Sequence, residues 1–117
     1  MTNSILAAVL IAIESSGNDR AVGDNGQARG ALQIHREVVE DVNRVYGTRY
    51  THRQMHERKV ALAVLDRYLW LYARPERLGR PVTNEDRARI WNGGPDGWRS
   101  RATDSYAARF RRMMRRR

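Results

Sequence analysis

The sequence contains no cysteine, one phenylalanine and one lysine, and it has no long apolar run. Without thiols there is no disulfide framework and no thiolate metal site, so the fold must stand on packing alone. The apolar run from Ile5 to Ile13 falls well short of the ~20 residues a membrane-spanning helix needs. It also lacks the basic leader and small-residue cleavage site of a secretory signal. Any action outside the cell of origin therefore requires an export route that these residues do not display, such as phage encoding or a dedicated export system. No cofactor is implied by any motif in the chain.

What is present fits one folded domain. A chain of 117 residues with 41% apolar side chains is long enough to bury a single core and too apolar for a disordered tail. We read residues 1–117 as one domain with a basic tail over 109–117. Net charge is +9, and 21 of the 22 basic residues are arginine, Lys59 being the exception. From Arg101 to Arg117 seven arginines face one aspartate, leaving +3 for the preceding hundred residues. Such a tail suits a polyanion, whether nucleic acid, anionic lipid or an anionic bacterial wall. It equally suits a solvated helix that only keeps the protein soluble.

Hydrophobic spacing predicts a mainly helical fold. Thr2, Asn3 or Ser4 caps a helix carrying Ile5, Leu6, Val9, Leu10 and Ile13, with Gly17 as its stop. Residues 18 to 35 hold Gly23, Gly26 and Gly30 among short alternating pieces, the pattern of a small β hairpin. A second helix fits Arg36 to Tyr46, with Val38, Val42 and Val45 inward and Gly47 ending it. Thr51 and Gln54 read as a capping box before a long helix to about Ala73. Its stripe, Val60, Ala61, Val64, Leu65, Tyr68, Leu69 and Tyr72, is the widest in the chain. Pro75, Gly79 and Pro81 mark a loop. Thr83 or Asn84 then caps a short helix to about Trp91, the turn NGGPDG follows, and Thr103 with Asp104 opens a last helix lined by Tyr106, Phe110 and Met113.

Glu14 stands out because a carboxyl beside an apolar helix face is desolvated, which favours its protonated form. An acid that keeps its proton near neutral pH can protonate a leaving oxygen, as glycosidic cleavage requires. Asp24, in a Gly-rich turn, has the wetter setting that keeps a carboxylate ionised. The plain alternative is a solvated helix-end glutamate and an ordinary turn aspartate. Gly30 leaves a strand bare for a ligand's approach, and Gln33 offers a neutral donor and acceptor. Trp91, Asn92, Pro95 and Trp98 form a turn that suits either a sugar platform or a helix cap with buried indoles. His52 and His56 stand four apart but lack a third ligand, so no metal site is expected. His35 reads as a residue at the edge of the site or on the surface.

These segments resemble a known family. ESSGNDRAVGDNGQARGALQI is similar to the catalytic stretch of the lysozyme-like superfamily, an E-S pair and a Gly-rich hairpin followed by G-x-x-Q-I. DRARIWNGGPDGWRSRATDSYAARF resembles a stretch of invertebrate-type lysozymes, the destabilase group, and bacterial lytic transglycosylases show a related set. The resemblance covers roughly residues 5 to 112. It implies an α+β lysozyme-like domain in which hairpin and helices flank a groove. The implied activity is that of a muramidase cutting peptidoglycan between N-acetylmuramic acid and N-acetylglucosamine at the bacterial cell wall. By the same resemblance Glu14 matches the general acid and Asp24 the second carboxylate. Gln33, Asn92 and Tyr106 match residues lining the cleft, Ser16 falls in the turn beside it, and Trp91 stands where the family has His or Tyr, with Gly30 as the bare strand position noted above. The family's disulfides are absent here, which implies a bacterial or phage relative. A lytic transglycosylase using Glu14 alone, a silent glycan-binding member and a basic nucleic-acid module are the competing expectations.

Overall fold

The computed structural model describes residues 3–116. It is mainly helical with one small antiparallel hairpin, as the periodicity predicts. In chain order the elements are α1 (Ser4–Ser15), β1 (Val22–Gly23), β2 (Ala28–Arg29), α2 (Arg36–Tyr46), α3 (Arg58–Tyr72), α4 (Pro75–Leu78), α5 (Asn84–Gly93) and α6 (Asp104–Arg115). Short 3-10 turns fill several of the connections. Among the described residues no helix is long and apolar enough to cross a membrane.

The chain gathers into two compact units. One is Ile11–Tyr68; the other combines the chain up to Leu10 with everything from Leu69 onward.

In the Ile11–Tyr68 unit the hairpin pairs Val22 with Arg29 and Gly23 with Ala28. Asp24, Asn25 and Gly26 turn it with φ of 48°, 57° and 88°, a left-handed run that short polar side chains and glycine tolerate best. A bridge between Arg29 and Ile34 then folds residues 30–33 into a tight loop, closed by Arg29 N–H on Ile34 O at 3.1 Å and Ile34 N–H on Arg29 O at 2.9 Å. The core of this unit includes Leu32, Ile34, Val42, Met55, Val64 and Leu65, all within 1% of full burial.

Helix α2 has the expected bounds, and Gly47 ends it in the left-handed conformation at φ 69°. Its inward face differs from the expectation. Val39 and Val42 are buried, Val38 is half-buried, and Val45 is 46% exposed. The valines at 38, 39, 42 and 45 support two overlapping stripes, and tertiary packing selects one. The Thr51 capping box forms, with Thr51 N–H on Gln54 Oε1 at 2.8 Å and Gln54 N–H on Thr51 Oγ1 at 3.2 Å. It opens a 3-10 turn over Arg53–His56, and α3 starts only at Arg58.

In the other unit Asn3 is the cap of α1, its Oδ1 accepting the Leu6 N–H at 2.7 Å. Thr2, the other candidate upstream, lies outside the described residues. The stretch marked by Pro75 and Gly79 contains α4, with Pro75 in the first turn and Gly79 left-handed at its end. Thr83 caps α5, and Asp86 returns the bond to Thr83 N–H in a complete capping box. Helix α5 runs two residues past Trp91 to Gly93. Ala107 and Phe110 are the buried residues of α6, while Tyr106 and Met113 are half-buried.

Candidate active site

Glu14 occupies the last turn of α1 and is half-buried, beside the buried Ile11 and Ile13. Beyond it the chain leaves the helix through Ser16 and Gly17, both left-handed at φ 55° and 89°. Ser15 fixes this exit. Its hydroxyl donates to Ala31 O at 2.7 Å and accepts the Asn18 N–H at 3.1 Å. The serine of the E-S pair thus ties the helix end to the loop at residues 30–33. Ser16, the position carried over from the resemblance, is exposed in the turn.

Gly30 and Gln33 are brought together. The Gln33 amide donates to Gly30 O at 3.0 Å and to Ala21 O at 3.2 Å, so both of its N–H groups are spent on backbone. Its Oε1 lies over Gly23, where any added methyl would collide with it. Through these two bonds the Gln33 amide braces the hairpin. Gly30 is buried at φ 83°, and a methyl on it would overlap the carbonyl of Met55, so the close approach it allows is taken up by the chain's own backbone.

The segment after Glu14 is clamped from another direction. Arg58, at the start of α3, donates through Nε to Asp19 Oδ1 at 2.6 Å and through Nη2 to Gly17 O at 2.9 Å. His56 Nδ1 donates to Asp19 O at 2.8 Å. His52 is 7% exposed, and its Nε2 donates to Ile34 O at 2.7 Å. Both histidines thus bond to backbone carbonyls. Local patterns cannot reveal the Asp19–Arg58 lock, because its partners are 39 residues apart.

Asp24 sits exposed at the hairpin turn, where His35 Nε2 meets its Oδ2 at 2.9 Å. On its other side the His35 ring has Glu37 Oε2 at 3.8 Å from Nδ1. The pair fastens the hairpin tip to the start of α2. Both members were singled out in the sequence, but their mutual contact was not foreseen. A carboxylate directed at a histidine 11 residues later is the signal that was available.

Trp91, Asn92 and Tyr106 belong to the other unit. Trp91 is buried, at 9% exposed. Asn92 is exposed in the last turn of α5, and Tyr106 is half-buried in the first turn of α6. The glycines of the NGGPDG turn serve packing. A methyl on Gly93 would strike the Thr103 side chain, one on Gly97 would strike Arg89 O, and Gly94 is left-handed at φ 89°. Two guanidinium groups lie over the Trp98 ring, Arg80 at 5.6 Å and Arg99 at 5.3 Å from its centroid.

Among the described residues no group of three or more His, Cys, Asp or Glu side chains is placed to hold a metal ion. No protein-family model matches the chain, and comparison with curated proteins returns no significant match.

Proposed function

We propose that this protein cleaves the β-1,4 bond between N-acetylmuramic acid and N-acetylglucosamine in peptidoglycan, with Glu14 as the general acid. The supporting observation is the fixed placement of Glu14 at the end of α1, between an apolar helix face and a turn braced by Ser15 and Arg58. A proton donor must be held still to act, and the bonds of Ser15 and Arg58 fix the backbone around Glu14. Glu14 gives its proton to the glycosidic oxygen as the C1–O bond breaks.

The route after bond cleavage depends on Asp24. In the hydrolytic reading a carboxylate supports the developing cation, and water completes the reaction. In the transglycosylase reading the sugar's own 6-hydroxyl attacks C1, returns its proton to the Glu14 carboxylate and leaves a 1,6-anhydro end. The engagement of Asp24 by His35 on an exposed turn favours this second, single-acid route.

Digestion of purified murein tests both readings. Glu14→Gln is expected to lower cleavage by about 10²–10⁴-fold. Undiminished digestion by that variant overturns the proposal. Mass spectrometry of the products assigns reducing ends to hydrolysis and anhydro ends to the transglycosylase route.

A further inference from the structure

The charge of this protein is sorted by unit. Ile11–Tyr68 carries nine basic against eight acidic residues, a net +1, whereas the remainder carries thirteen arginines against five acids, a net +8. Those five acids are all occupied. Glu76 pairs with Arg74, Glu85 with Arg89 and Arg111, Asp86 with Arg80, Asp96 with Arg77 and Arg99, and Asp104 with Arg89. Among the described residues of this unit, Arg87, Arg101, Arg109, Arg112, Arg115 and Arg116 are left with no acidic partner.

Three of these arginines form a line. At about 100° per residue, Arg109 and Arg112 on α6 and Arg116, which caps its end in helical conformation, fall within roughly 60° of arc and about 10 Å along the axis. All three are exposed, and the helix buries Ala107 and Phe110. Arg111, which the sequence alone groups with them, points instead to Glu85 at 2.9 Å and is not part of this stripe.

We propose that this arginine stripe on α6 docks the protein onto a phosphodiester polymer carried by the bacterial wall. The guanidinium group favours phosphate, whose oxygens it engages in paired hydrogen bonds. Among the described residues the exposed large apolar side chains are Ile5, Val22, Val45, Tyr46 and Trp70, none of them on α6, so the stripe has no fully exposed apolar anchor beside it for a lipid layer. It also presents no aromatic ring for stacking a base and no amide for reading a base edge, which leaves charge and phosphate geometry as its chemistry. The choice of a wall polymer over nucleic acid rests on the glycan-cleaving reading given above.

Co-sedimentation with purified walls tests the inference without requiring cleavage. Wild-type protein is expected to bind intact walls in a salt-sensitive manner and to bind walls stripped of their phosphodiester polymer at least about tenfold more weakly. Arg109→Gln/Arg112→Gln/Arg116→Gln is expected to lose the same increment and to lower the log–log salt slope by about two to three. The corresponding triple Lys variant, which keeps the charge, is expected to retain most of that slope, showing that the loss is not one of folding. Equal binding to stripped walls overturns the inference, as does tighter binding to duplex DNA than to intact walls. Phosphate-dependent binding with no cutting of the wall leaves the docking standing and removes the glycan-cleaving reading. Glu14→Gln that cuts nothing but sediments like wild type supports both.

Discussion

Asp86 is 4% exposed, and its carboxylate accepts two hydrogen bonds from Arg80, at 2.6 and 2.8 Å, and one from Thr83 N–H at 2.9 Å. The Arg80 guanidinium, against the opposing effect of burial, holds this carboxyl at about 2, below its ordinary 3.8. Because the folded value is depressed, the stabilisation is fully present above the unfolded value near 4. It is lost as pH falls through about 2, a loss of about 2 kcal/mol over that window. Urea unfolding at stepped pH is expected to show this loss in wild type and its absence in Asp86→Asn. Equal pH slopes for the two proteins would contradict the assignment. The sequence carried a signal for this residue, since Asp86 stands three positions after Thr83, where a capping box places its return acceptor. Its partner Arg80 lies outside that pattern, as Arg58 does for Asp19, and such pairings appear only once the chain has folded.

Glycines at the ends and turns of elements look alike in sequence and differ in the space around them. Gly47 and Gly30 are both left-handed, at φ 69° and 83°. A methyl on Gly47 would meet nothing, whereas one on Gly30 would overlap the Met55 carbonyl. Gly47→Ala is therefore expected to cost about 1 kcal/mol from backbone strain alone. Gly30→Ala carries the same strain plus a backbone collision and is expected to cost at least about 2 kcal/mol more. Chemical denaturation of the two variants checks the ordering, and similar losses would refute it. The bounds of α2 were legible because period and stop residue agreed at Gly47. The use of Gly30 was not, because the atom that crowds it comes from a 3-10 turn 25 residues away, in a stretch expected to be plain helix. The same limit applies to the candidate site. Glu14 and Asp24 could be picked out by residue type and setting. The bracing roles of Ser15, Gln33 and His35 depend on a loop closure that no local spacing encodes.

At the scale of the whole chain, hydrophobic spacing foretold a helical fold and charge counting a basic end, but neither foretold that the acids of one unit would all be spent on arginines, since pairing depends on partners from different elements. One feature of the layout bears on how the molecule comes into being. The unit Ile11–Tyr68 is a single continuous stretch, whereas the other unit joins the chain up to Leu10 to residues from Leu69 onward. Closing contacts over a short separation costs less chain entropy than closing them across most of the sequence. Pulse-labelled hydrogen exchange during refolding is expected to protect amides of α2 and the first half of α3 before those of α5 and α6, and the reverse order would contradict this. On a ribosome the middle of the chain can organise while the end is still unmade, but Leu6 and Val9 must wait for companions synthesised last. Stop codons late in the coding sequence would then strand a greasy leading segment, making truncated products a target for chaperones and proteases.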